Sequence, residues 1–205
     1  MGANKAFTFN NVRFLFPAIL QPKAKYGGVG QEYGVVALIK KDDKAQINRF
    51  KATYDELVAA EFKTPPGNLR PFIGMSDKAV LKDGDDKFSQ SPIDKRANYE
   101  SYRGCMFINL AIDVEKGKIG AVDIDQQPII STDQLPSGTY GHIVCECSAY
   151  RSPSYGPQFT ITPRLVQVID ASQPLGAPRM SQEDALSQLP GTPAVGGTPD
   201  VNDVL

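Results

Sequence analysis

The stretch His142–Asp170, HIVCECSAYRSPSYGPQFTITPRLVQVID, decides the fold class. Its first part alternates strictly, with Ile143, Cys145, Cys147 and Ala149 on one face and His142, Glu146 and Tyr150 on the other. Period-two alternation over that length marks a half-buried strand. QFTITPRLVQVID gives a second strand that closes the core, and Pro163, which has no N–H to offer a ladder, marks an edge or a bulge. Between the two runs, Arg151 to Tyr155 turns the chain on Ser and Pro, so the pair reads as a hairpin with Tyr150, Arg151 and Tyr155 at its tip.

The pattern recurs outward from this hairpin. RGCMFINLAIDV (Arg103–Val114) sets Met106, Ile108, Leu110 and Ile112 on one apolar face and Arg103, Cys105, Phe107 and Asn109 on the other, which puts Arg103 and Phe107 together on an outward face. KGKIGAVDID gives a short strand, and QQPIISTDQLPSGTYG a loop. Nearer the N-terminus, FTFNNVRFLFPAIL (Phe7–Leu20) and EYGVVALIKK (Glu32–Lys41) read as a strand pair, with Tyr33, Val35, Ala37 and Ile39 on one face. The glycine cluster Gly27–Gly30 between them is a hairpin turn and not a phosphate cradle, because a strand follows it and not a helix. One helix interrupts the strands. Asp42 and Asp43 stand where an N-cap belongs, and Ile47, Phe50, Tyr54, Leu57, Val58 and Phe62 recur at three- and four-residue spacing, predicting an amphipathic helix over about 43–62. The fold class is mostly β, a barrel or a sandwich.

Pro65 to Arg103 has another texture: a long, charged excursion with one short apolar piece, Ala79–Leu81. Loops of that length inside a domain carry function or lack structure, so this is a place to look for a site. DGDD at Asp83–Asp86 lacks the remainder of a calcium-binding loop and reads as an acidic turn, or as a clamp over the same surface as the basic residues.

Composition limits the chemistry. With 41% hydrophobic and 22% charged residues in 205, the chain supports one globular domain, with no apolar run long enough for a membrane helix and no secretory signal, so a cytoplasmic protein is expected. Cys105, Cys145 and Cys147 read as buried thiols; the single histidine, His142, offers neither a metal set nor a catalytic pair, and no nucleotide-binding or hydrolase motif accompanies it. No catalytic residue, metal or cofactor is expected.

The ordered set NVRFLFPAILQPKAKYGG, YGVVALIKK, the amphipathic helix, LKDGDD, YRGCMFINLA, VDIDQQPI, YGHIVCECSAY and PRLVQVIDASQPLG resembles the tailed-phage single-stranded DNA-binding protein family, over most of Asn11–Gly176. The resemblance implies an OB-fold barrel that binds single-stranded DNA without sequence preference in phage DNA replication and recombination. The family often has a Gly- or Asn-rich turn between the last two strands, where this chain has Arg151 to Tyr155.

Such binding uses a cationic groove along the phosphates and flat rings on which bases stack. The residues that supply both are Lys23, Lys25 and Tyr26 in the first hairpin, Lys78, Lys82, Arg96, Tyr99, Tyr102 and Arg103 in the excursion, Phe107 on the outward strand face, and Tyr150, Arg151 and Tyr155 at the hairpin tip. The net charge of −1 conceals an asymmetry: from Ala171 onward four acids face one base, so residues 171–205 carry −3 and the domain, residues 1–170, carries +2. The 171–205 segment is rich in Pro and Gly and has no aromatic residue, so a disordered tail is expected. Its end, with Asp200, Asp203, Val204 and Leu205, resembles the acidic tips with which single-strand binders recruit replication proteins, although it lacks a terminal Phe. Two other readings stay open: a β-rich phage structural protein of the head or tail, which accounts for the strands and the tail without a basic groove, and a nuclease, which the lack of a convincing metal-binding acidic pair disfavours.

Overall fold

Phe7, Phe9, Val12, Phe14 and Ile19 are all buried, although their spacing departs from period two after Phe9 and again after Phe14. A strand can keep such a set on one face only by bulging. In the computed structural model, which describes residues 3–25, 28–74 and 79–175, β1 (Ala3–Ala24) does this at Asn11 and at Phe16, and its register shifts once more between Ala18 and Lys23. Asn11 and Phe16 take positive φ, 47° and 49°, and the register slips between Phe9 and Val12 on one side and between Leu15 and Ala18 on the other. The bends let one strand serve two neighbours. Ala3–Arg13 pairs antiparallel with β6 (Tyr140–Ser152), and Arg13–Ala24 pairs antiparallel with β2 (Gln31–Lys40).

The remaining strands are β3 (Lys82–Asp83), β4 (Cys105–Asp113), β5 (Gly120–Val122) and β7 (Gly156–Asp170), and the sheet order is β3-β4-β2-β1-β6-β7-β5. β4 and β7 contact each other, so β4-β2-β1-β6-β7 wraps into a barrel with the strand order of an OB fold. Pro163 sits at a bulge as its chemistry requires: Val144 faces Leu165 and Cys145 faces Pro163, leaving Arg164 as the extra residue.

The inward faces are those the alternation gave, Tyr33/Val35/Ala37/Ile39, Met106/Ile108/Leu110/Ile112 and Ile143/Cys145/Cys147/Ala149. α1 (Lys44–Phe62) packs across β1 and β6, with Phe50 inserted among Phe7, Phe9 and Phe72 at ring separations of 4.9, 4.8 and 5.3 Å. Asp43 caps it by accepting the Gln46 N–H. The buried Gln46 amide in turn accepts from the Asn10 N–H and donates to the Asn10 carbonyl, satisfying the edge that β1 exposes where it bulges at Asn11.

Two expectations are corrected. The excursion is not simply a loop, because Asp83 accepts the Asp85 N–H and starts α2 (Gly84–Ser89), and a 3-10 helix follows over Ile93–Tyr102. Asp83–Asp86 is therefore a helix start and not an isolated acidic turn. Phe107 does not face solvent beside Arg103: the excursion folds over the outer face of β4, so Leu15, Leu38, Tyr102 and Phe107 form a second buried cluster outside the barrel, while Arg103 precedes the strand and is exposed. Among the described residues, no helix is long and apolar enough to cross a membrane.

Candidate nucleic-acid interface

The pairing registers define one outer surface. Arg13 lies opposite Leu38, Leu38 opposite Phe107, and Phe107 opposite Lys82; the next row holds Leu15, Val36 and Asn109. This is the outward face of β1, β2 and β4, and α2 with the 93–102 helix forms a wall along it. Between wall and sheet lies a cleft of about 720 Å³. Its rings are Phe16, Tyr99, Tyr102 and Phe107, and its ammonium groups are Lys82 and Lys87. Lys87 Nζ stands 5.1 Å from the centre of the Tyr99 ring and Lys82 Nζ 5.8 Å from that of Phe107, so the cations hover over π faces.

The wall is tied down by one ionic clasp. Lys41 Nζ, just past β2, contacts Asp83 at 2.6 Å and Asp85 at 2.7 Å, and Asp85 accepts the Gly104 N–H at 2.8 Å. Partial burial lowers the Lys41 pKa, but the hydrogen bonds that Lys41 donates to Asp83 and Asp85 outweigh it and raise the value. The Lys41 hydrogen bond, then the Gly104 N–H, hold the Asp85 carboxyl below its usual range. A depressed carboxyl stabilises the fold above the unfolded value, about pH 4, and loses that contribution as pH falls through the folded pKa, so the clasp is constant at neutral pH. Lys41→Met is expected to raise amide exchange across residues 84–104 at least about fivefold while β6 and β7 stay protected, because only local opening is affected. Equal protection of both regions in the variant and the parent would show that the clasp is dispensable.

The sequence-derived candidates divide into three groups. Lys82, Tyr99, Tyr102 and Phe107 meet in the cleft. Tyr102 and Phe107 form its buried wall and floor, edge to face with centroids 5.0 Å apart, and burial pushes the Tyr102 hydroxyl up to about 12. Arg96 and Arg103 brace the wall and do not line the cleft. Arg96 donates to the Ser89 and Ser91 carbonyls, Arg103 pairs with Glu100 at 2.8 Å, and both guanidinium groups flank Phe88. At the other end of β1, β2 and β4, Lys23 lies 3.7 Å from Glu32 and Lys25 lies 2.8 Å from Asp113. The Asp113 hydrogen bond raises the Lys25 pKa. Ion pairs this accessible to solvent are weak, so a phosphate can displace the carboxylate at little cost.

The third group is the hairpin tip, which lines no part of the cleft. Tyr155 is 80% exposed, Tyr150 is 37% exposed, and Arg151 lies over the Phe62 ring at the end of α1. Tyr26, Lys78 and the tail residues Asp200, Asp203, Val204 and Leu205 lie outside the described residues.

Three residues that line the cleft, Phe16, Lys87 and Asn109, are not among the candidates taken from the sequence. Phe16 is 57% exposed at φ 49°, a conformation that a bulky side chain rarely adopts. The bulge turns its ring out of the barrel and into the cleft, and strain of this kind concentrates at functional sites. The signal available was Pro17, which interrupts an otherwise strand-like run directly after an aromatic residue. Among the described residues, no group of three His, Cys, Asp or Glu side chains is arranged to hold a metal.

Residues 5–189 match the family described as Enterobacter phage Enc34, ssDNA-binding protein. Among solved structures, the single-stranded DNA-binding protein from bacteriophage Enc34 in complex with ssDNA aligns with a TM-score of 0.59 at 17% identity, over 83% of this chain and 89% of that one. A second structure of the same phage protein gives 0.59 at 16% identity, over 88% and 89%. gp2.5, a single-stranded DNA-binding protein encoded by bacteriophage T7, gives 0.50 at 12% identity, over 95% and 100%. At these identities the structural likeness is one of fold. No curated protein sequence matches the chain. The family match spans most of the chain and coincides with the barrel and its cleft: the chain belongs to the Enc34-type phage single-stranded DNA-binding protein family.

Proposed function

We propose that the protein binds single-stranded DNA across the outer face of β1, β2 and β4, acting in the host cytoplasm during phage DNA replication and recombination. The observation that carries this reading is the cleft itself, in which the Phe16 and Tyr99 rings and the Lys82 and Lys87 ammonium groups share one concave surface on the face that OB folds use for oligonucleotides. Rings stack on any base and ammonium groups neutralise any phosphate, so most of the affinity is independent of sequence. Lys23 and Lys25 extend the cationic track towards the first hairpin. The hairpin tip, with Tyr150, Arg151 and Tyr155, offers a separate contact for a strand long enough to reach it. The acidic tail, through Asp200, Asp203, Val204 and Leu205, is the handle for phage or host replication proteins.

Titration of a labelled single-stranded oligonucleotide in EDTA, over a range of salt, tests the reading. Affinity should fall linearly on a log–log plot with salt, and neutralising Lys82 and Lys87 by Gln should flatten the slope by about 0.7 for each phosphate that is no longer paired with a cation. A complex that ignores salt, or no complex at low salt, would overturn it.

A further inference from the structure

Three groups in the cleft are not accounted for by stacking and phosphate neutralisation. Asp86 on α2, Gln90 at its end and Asn109 on β4 all line the cleft, and none of their side-chain polar atoms has a hydrogen-bond or ion-pair partner among the described residues. Asp86 differs from its neighbour Asp83, which also lines the cleft but is held by Lys41. An unpaired carboxylate in a surface built for a polyanion is unfavourable towards phosphate. It becomes favourable if what reaches it is the edge of a base.

We propose that this cleft is a base-reading subsite: it takes one base of the bound strand, seated by Phe16 and Tyr99, whose exocyclic amino group donates to the Asp86 carboxylate. The proposal rests on the single-strand-binding reading above and adds a preference to it. The cleft, about 720 Å³, falls within the range of small-molecule pockets, roughly 300–1,000 Å³, and so has volume enough for a nucleotide. A carboxylate accepts hydrogen bonds and donates none, and acidic side chains read cytosine through its N4 amino group. Thymine presents the O4 carbonyl at the same place, and its one ring N–H lies between two carbonyl oxygens that repel a carboxylate. Asn109, with a donor and an acceptor on one amide, can serve the adjacent ring atoms of either base and so adds hold without adding discrimination. Lys82 and Lys87, over their rings at the same cleft, neutralise the flanking phosphates and keep them away from Asp86.

The test compares oligo-dC and oligo-dT of equal length at mildly basic pH, where neither folds, with the full chain, Asp86→Asn and Asp86→Ala. The parent protein should bind oligo-dC about fivefold more tightly, the size of one net hydrogen bond in a partly exposed site. Asp86→Ala should bring the ratio close to one, chiefly by strengthening oligo-dT, since the repelling carboxylate is gone. Asp86→Asn should do likewise, because an amide can meet either an amino or a carbonyl group. Equal affinity for the two oligomers in the parent, or a dC preference that survives both substitutions, overturns the subsite and leaves single-strand binding intact. Binding of neither oligomer overturns both.

Discussion

Replacing Phe16 by Gly is expected to cost roughly 1–3 kcal/mol of single-strand affinity, about five- to 150-fold, while the thermal midpoint stays within a few degrees of the parent. The two halves of this result have separate causes. Phe16 is 57% exposed and its backbone sits at φ 49°, so the ring contributes little to the core and the conformation is strained. Gly reaches positive φ without that strain, which offsets its greater entropy in the unfolded chain. What the variant loses is the ring that faces the cleft. Tyr99→Ala is the companion, and because both rings line one cleft their losses should couple and fall short of the sum. Tyr155→Ala reports separately whether a strand reaches the hairpin tip. Tyr102 and Phe107 are unsuited to the same test: both are buried, and alanine there should destabilise the fold by about 3–5 kcal/mol, in the range measured for large buried rings. Unaltered affinity in Phe16→Gly, Tyr99→Ala and the double variant would remove stacking in this cleft from the mechanism.

These rings show what the sequence could reveal. β2, β4 and β6 each bury one face at period two, and α1 buries Phe50, Tyr54, Leu57 and Val58 at helical spacing, so burial within those elements follows from pattern alone. Phe107 marks the limit of that reasoning. Alternation establishes that it points away from the barrel, but only tertiary structure says whether water or another segment meets it there. The covering segment was itself obscure, because α2 is six residues long and the 93–102 helix has almost no apolar periodicity; both are held by the Asp83 cap, the Lys41 clasp and the Arg96 contacts to Ser89 and Ser91. Phe16 was hidden for a different reason. Its orientation depends on a bulge at a non-glycine residue with positive φ; Pro17 signals that the strand is interrupted there, but not which way the Phe16 ring turns.

Ending the chain after Leu175 is expected to tighten single-strand binding about tenfold at low salt. Residues 176–205 carry the excess acid, net −3, and are joined covalently to a domain of net +2. The described chain ends close to the aromatic face and not at a remote point of the barrel: Leu175 packs against the cluster of Leu15, Leu38, Tyr102 and Phe107, its N–H donates to the Ser137 carbonyl at 2.6 Å, and Arg13 donates to the Gln173 carbonyl at 3.2 Å. Acids joined to the chain at that point would act at an effective concentration of the order of millimolar, and weak contacts between them and Lys82, Lys87, Lys23 or Lys25 are then expected to compete with phosphate. The advantage of the truncated chain should shrink as salt rises, since at about 0.15 M the Debye length is near 8 Å and such contacts are screened. Keeping Leu175 in the truncated chain matters, because cutting before it would also uncover the second apolar cluster and confuse a packing defect with a change of charge. Replacing Glu183, Asp184, Asp200 and Asp203 by their amides in the full-length chain separates charge from length. If those amides reproduce the truncation, competition by charge is the cause; if truncated and full-length chains bind equally at low salt, the acidic segment does not occupy the groove, and the lysines of the domain meet DNA unopposed.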